Sequence, residues 1–162
     1  MPETRGSVVV PVTQVAAWDF AADVRNAPLW VFGVRSVAGD LHQPPRTGDR
    51  LRARLIAGGR VADSVWEIAE CRRPDFLSSH GRALGATATL RIDCVPHGDD
   101  LTEVRYRLQY QLPGGPLGAL AARLGVHGVL DAQVRYSLRT LRRLLTAQRR
   151  GRVLPREEFG PG

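Results

Sequence analysis

The chain has 162 residues, a length that suits one domain able to bury a sizeable core without a disulfide framework. An apolar content of 43% and a charged content of 24% exclude a disordered chain. The net charge is +7, but all 23 basic residues are Arg and are scattered along the chain, a bias that a GC-rich genome explains, so no nucleic-acid partner is expected.

In chain order, the Val-rich run from Arg5 to Val12 predicts a strand. Thr13 offers an N-cap to a short helix with Val15, Trp18 and Ala22 at helical spacing, Trp18 being expected to pack that helix on the sheet. Asp23 caps a second short helix, VRNAPLW, which Pro28 limits. Six further strands follow: 34–38, 50–56, 60–71, 76–81, 86–95 and 103–112. Turns at Ala57-Gly58-Gly59, Arg72-Arg73-Pro74-Asp75 and His97-Gly98-Asp99-Asp100 are short and imply antiparallel neighbours. Arg50, Arg52 and Arg54 alternate with Leu51, Ala53 and Leu55, and Val104, Tyr106, Leu108 and Tyr110 alternate with polar residues, so one face of the sheet is solvated. Within 76–81 the period leaves two readings open, with either Phe76, Ser78 and His80 or Leu77, Ser79 and Gly81 facing inward.

After the breaker Pro113-Gly114-Gly115-Pro116 a long helix is predicted from Leu117 to Thr146, with an interruption possible at Gly125 and Gly128. Its apolar stripe of Leu117, Leu120, Leu124, Val134, Leu138, Leu141 and Leu145 makes it the cover that the apolar sheet face needs. The domain is expected to span 1–147 and the Arg/Gly/Pro-rich segment 148–162 to be a disordered tail. Cys71 and Cys94 have no metal-site spacing and read as small strand hydrophobes. No signal-like leader and no apolar run of spanning length is seen, so a cytoplasmic protein without a membrane span is expected, as monomer or homodimer.

The ordered set VVVPVTQVAAWDFAADVRNAPLW, VWEI, TEVRYRLQYQLPGGPLGAL and the closing SLRTLRRLL resembles the START/Bet v 1-like (SRPBCC) superfamily, and within it the bacterial polyketide cyclase/dehydrase group. The resemblance covers about residues 5–146 and implies an α+β helix-grip fold: a curved antiparallel sheet of about seven strands around a long C-terminal helix. It also implies a cavity for a small hydrophobic ligand and no cofactor. Aromatase/cyclase members place an arginine where this chain has Ile68 and a tyrosine where it has Val34, so their catalytic pair is absent and a standard aromatase reaction is not expected.

Two residues on the helix stripe carry the chemical expectation. His127 and Asp131 lie four positions apart, neighbours on a helix surface, where a carboxylate orients an imidazole that moves protons. The alternatives are a self-satisfied structural pair, or a helix rotated at its glycines so that the pair meets water. Tyr106 and Tyr110 bring phenols to an oily space, either for a ligand or simply as core. Ser64 and Trp66 share the inner face of their strand, where Trp66 either walls a flat ring or fills volume. Trp30 and Phe32 are placed at the mouth, and Leu124 on the stripe against the ligand. His42 and His97 read as loop residues, and no metal set, phosphate loop or dinucleotide fingerprint occurs. The expected function is a polyketide cyclase or dehydratase of bacterial secondary metabolism; the alternative is a non-catalytic carrier or sensor of a lipid, isoprenoid or pigment.

Overall fold

In a computed structural model that describes residues 2–57 and 59–151, seven strands form one antiparallel sheet in the order β1-β7-β6-β5-β4-β3-β2. The strands are β1 (Glu3–Val10), β2 (Val34–Ala38), β3 (Arg50–Ala57), β4 (Arg60–Arg72), β5 (Phe76–Ala83), β6 (Ala86–Gly98) and β7 (Leu101–Gln111). The helices are α1 (Gln14–Ala21), α2 (Ala27–Trp30), α3 (Gly115–Arg123) and α4 (Val126–Arg149). This is the helix-grip architecture that the resemblance implies.

Local chemistry explains the ends of the elements. Thr13 Oγ1 accepts the Ala16 N–H at 3.2 Å and starts α1. Asp23 accepts the Arg25 N–H at 3.1 Å and caps a 3-10 turn at Val24–Asn26; Pro28 then sits in the first turn of α2. The expected second helix is therefore a 3-10 turn joined to a single α-turn. These short elements carry the chain across the end of the sheet, so β1 and β2 stand at opposite edges although consecutive in sequence. Register shifts at Val34/Ser36, Ile68/Glu70 and Pro96/Gly98 add bend to the strands.

Strand β5 turns Leu77, Ser79 and Gly81 inward, since they pair with the inner-face positions Ile92, Leu90 and Ala88 of β6, and His80 is exposed. The outer face holds ion pairs across and along strands: Arg50 with Glu67, Arg54 with Asp63, Arg91 with Asp93 and Arg105 with Glu103. Cys94 is buried and Cys71 half-buried; both thiols are free, and burial pushes the Cys94 thiol up to about 12.

The C-terminal helix differs from the single stripe expected. Gly125 adopts a left-handed φ of 72° and splits it into α3 and α4. Val134, Leu138, Leu141 and Leu145 of α4 are buried against the sheet, whereas Leu117, Leu120 and Leu124 are exposed and α3 buries no residue. α4 runs on to Arg149, two residues into the expected tail, and the remainder of that tail from 152 lies outside the described residues.

The helix lies on β1 at Gly6, where a Cβ would stand 2.9 Å from Leu138 Cδ1 and 3.1 Å from Val134 Cγ1. Ser137 Oγ accepts the Phe32 N–H at 2.9 Å and ties the α2–β2 connection to α4. The β2–β3 loop is organised by Asp49, a buried carboxylate that accepts from His42 N (3.0 Å), Arg46 N (3.1 Å) and the His42 ring (2.6 Å). His42, a loop residue as expected, thus has a structural partner.

These contacts set two expectations for stability. Gly6→Ala is expected to be absorbed by the flexible tip of Leu138, whereas Gly6→Leu is expected to cost about 1–3 kcal/mol in urea denaturation by pushing α4 off β1. Burial alone would raise the Asp49 carboxyl, but its bonds from His42 and from the Arg46 and His42 backbone hold it below its usual range. That stabilisation is present above the unfolded value of about 4 and is lost as pH falls through the lower folded value. Asp49→Ala is expected to cost about 1–3 kcal/mol at neutral pH, with the gap to wild type narrowing in acid.

Candidate functional site

Packing fills one end of the grip. Trp18, Trp30, Tyr106, Ile92, Leu141 and Leu145 are buried together there. Trp30 meets Tyr106 edge to face at 6.1 Å between ring centres. The Trp30 indole N–H is buried and has no protein partner among the described residues, and burial raises the Tyr106 hydroxyl well above the ordinary phenol value. The expected pair at the mouth therefore separates. Trp30 belongs to the interior, while Phe32 is half-exposed and packs edge to face on Tyr136 of α4 at 5.2 Å.

The other end is looser. On the inner face Leu55, Trp66, Leu90 and Leu108 are only half-buried, and α3 stands nearby with its leucines exposed. Leu124, expected against a ligand, is 72% exposed at the end of α3. Trp66 donates its indole N–H to Ser64 Oγ at 2.9 Å, and Ser64 donates to the Ala53 carbonyl at 2.9 Å. Both residues occupy the inner face, as the alternation predicts.

The chemistry-bearing groups meet where α4 begins. Tyr110 is buried on the inner face of β7, and its hydroxyl lies 2.7 Å from His127 Nδ1. His127 is exposed in the first turn of α4, because the break at Gly125 resets the helix there. Asp131, one turn on, is half-buried and accepts a hydrogen bond from the Thr4 hydroxyl of β1. Among the described residues no hydrogen bond or ion pair joins His127 to Asp131. The pair expected to bond along the helix instead reaches across to the sheet, His127 to β7 and Asp131 to β1. Burial, and after it the Asp131 charge, push the Tyr110 hydroxyl above its usual range.

Thr4 had no signal in the sequence, since a strand threonine is common and its partner lies 127 positions away. Gly81 did carry one: an isolated glycine inside a strand marks a close approach of another group, and here the Trp66 ring lies over it. Ile68 and Val34, at the positions where the resembling cyclases place arginine and tyrosine, are respectively buried and half-buried. A hollow of about 750 Å³ is lined by the outward-facing Arg50, Val65, Glu67, His80, Arg82, Thr87 and Thr89 and, between them, by Trp66, Gly81 and Ala88, and it holds none of Tyr110, His127 and Asp131. Among the described residues no group of three or more side chains is arranged to hold a metal ion, and no helix is long and apolar enough to cross a membrane.

A family model described as polyketide cyclase/dehydrase and lipid transport matches residues 1–146. Among solved structures, a protein of Thermus thermophilus is similar at 18% identity and a TM-score of 0.72, covering 91% of this chain and 99% of that one. The Zhui aromatase/cyclase from Streptomyces sp. R1128 is similar at 12% identity and a TM-score of 0.73, covering 91% and 94%. A START superfamily protein from Mycobacterium smegmatis is similar at 17% identity and a TM-score of 0.58, covering 83% and 96%. At these identities the likeness is one of fold. The comparison with curated proteins gives no match.

Tyr106 and Tyr110 both resist ionisation in the folded state, so the stability this contributes is present below about pH 10 and is lost as pH rises through their higher folded values. Tyrosinate absorbance is expected to develop above pH 10 for both, and Tyr106→Phe and Tyr110→Phe should each remove one late-titrating component.

Proposed function

We propose, since this chain belongs to the polyketide cyclase/dehydrase and lipid-transport family, that it binds a small hydrophobic, polyketide-like molecule between the inner sheet face and helices α3 and α4. It acts on that molecule as a cofactor-free cyclase or dehydratase of bacterial secondary metabolism, in the cytoplasm. The observation that carries this reading is the Tyr110 hydroxyl held 2.7 Å from His127 Nδ1 at the border between the apolar inner face and solvent. A phenol and an imidazole in contact can pass a proton either way.

In a cyclisation, His127 takes a proton from a methylene flanked by two carbonyls. The resulting enolate carbon attacks a carbonyl further along the same chain. Tyr110 gives its proton to the new alkoxide and regains one from His127, and a dehydration then expels water. Asp131, bonded to the Thr4 hydroxyl, places a carboxylate one helical turn from the imidazole, beside the path of the proton. The apolar walls contribute by holding a flexible chain folded for attack. Ile68 and Val34 offer no proton, so this chemistry does not follow the arginine and tyrosine pair of the resembling cyclases.

The exposure of His127 favours a second reading, a carrier of a lipid, isoprenoid or pigment, because an imidazole open to water exchanges its proton with solvent as readily as with a ligand.

With a synthetic poly-β-ketone thioester as substrate, His127→Ala and Asp131→Asn are each expected to lower the rate of cyclised product by about 100-fold or more at unchanged thermal stability. Equal rates in wild type and both variants would remove the catalytic role. Native mass spectrometry of protein from its own host checks the binding: a bound apolar molecule released unaltered, with no turnover of the thioester, selects the carrier.

A further inference from the structure

Six of the 23 basic residues lie on one flank of α4: Arg135, Arg139, Arg142, Arg143, Arg149 and Arg150, all exposed. At the helical period they fall within an arc of about 120°, and the line they make is about 22 Å long. From Ala132 to Gly151 the chain has no acidic residue, and among the described residues none of the six is in an ion pair. The outer sheet face differs, since Arg50, Arg54, Arg91 and Arg105 there each have an acid. The helix dipole accounts for Arg149 and Arg150 in the last turn, but its pull has faded by Arg135 and Arg139. Spacings of three and four residues among Arg135, Arg139, Arg142 and Arg143 set like charges side by side, which weakens the helix. An anionic partner relieves that repulsion.

Two further features decide which anion fits. Arg139, Arg142, Arg143 and Arg150, with Thr146 and Ala147, line an open hollow of about 390 Å³ on this flank, room for a phosphate head group. Beside the arginines runs an apolar strip: Val129 and Tyr136, seven residues apart and on one line with Arg143, are both exposed. Phe32, exposed as well, packs edge to face on Tyr136 at 5.2 Å. We propose that this flank of α4 is a docking surface for an anionic membrane, with the arginines on lipid phosphates and the Tyr136 and Phe32 rings where head groups meet acyl chains. Guanidinium forks suit phosphate, and amphipathic rings suit that interface. A bilayer carries anions all over its surface, so it meets a straight line of cations without a matching pattern. A nucleic acid supplies phosphates but no apolar layer for Val129, Tyr136 and Phe32. The surface lies on the solvent side of α4 and is independent of what the inner sheet face binds.

Co-sedimentation of the full chain with vesicles tests this, using phosphatidylcholine alone and an equimolar mixture with phosphatidylglycerol. Wild type is expected to bind the anionic vesicles at least about tenfold more tightly at low salt and to lose that preference as salt rises. Replacing Arg139, Arg142 and Arg143 together by Gln is expected to weaken binding about 100-fold, about fivefold for each cation removed. Arg52→Gln, Arg82→Gln and Arg107→Gln together, at exposed outer-sheet positions, remove the same charge and should stay within about threefold of wild type. Tyr136→Ser should weaken binding about tenfold and leave the salt dependence in place. Equal binding to both vesicles, or equal losses in the two triple variants, would overturn the surface. So would displacement from anionic vesicles by single-stranded DNA or by glycerol phosphate at matched phosphate concentration, the first making the partner a nucleic acid and the second a soluble phosphate.

Discussion

The packing of α4 onto β1 at Gly6 is the contact on which the rest of the arrangement hangs. With no side chain on the strand at that point, Leu138 and Val134 come within 2.9 and 3.1 Å of where a Cβ would stand. From there the apolar positions of α4 descend onto the sheet, with Leu141 and Leu145 fully buried. Dense packing at this end, together with Trp18, Trp30 and Tyr106, makes it solid. The opposite end stays loose because α3, cut from α4 by the left-handed Gly125, does not follow the same line down to the sheet. The grip is therefore closed at one end and open at the other.

The position of the polar groups follows from the same geometry. α4 begins beside the edge of the sheet formed by β1 and β7, so its first two turns deliver His127 to β7 and Asp131 to β1. Each finds a hydroxyl on the sheet, Tyr110 and Thr4, rather than the other. A buried phenol linked to an exposed imidazole joins interior to solvent through one hydrogen bond. The half-buried carboxylate beside it is paired with no cation within ion-pair distance among the described residues, and burial first, then this charge, push the phenol above its usual range. Such a junction at the border of an apolar face suits proton movement to and from a bound molecule.

The two faces of the sheet divide the labour. Some outward-facing arginines are matched by acids, across strands as Arg50 with Glu67 or along one strand as Arg105 with Glu103, pairs that support solubility more than stability. Inward, the row of Trp66, Gly81, Ala88 and Tyr110 is unlike its neighbour row of Ile68, Ser79, Leu90 and Leu108, which carries aliphatic bulk at three of its four positions. Large residues are replaced by Gly81 and Ala88 on the row where the indole is laid flat.

The strands, their faces and the capping of α1 were legible in the sequence because they depend on local periods and on single residues acting over a few positions. Tyr106 and Tyr110 inward, Arg50, Arg52 and Arg54 outward and Thr13 as cap all come from such short-range rules, and the family resemblance extended them to a whole fold. What only tertiary structure decided is what each residue meets. A helical stripe says that Leu124 and Leu138 share a face, but a single left-handed residue at Gly125 rotates one out to solvent and leaves the other buried. An i, i+4 spacing places His127 near Asp131, yet Tyr110 and Thr4 outcompete that pairing from strands brought alongside by the fold. Trp30 and Phe32, two residues apart, part into core and surface because a chain turning between α2 and β2 points them opposite ways. Periodicity assigns a residue to a side of its own element; the partner on the other side belongs to a distant part of the chain, and only packing brings it there.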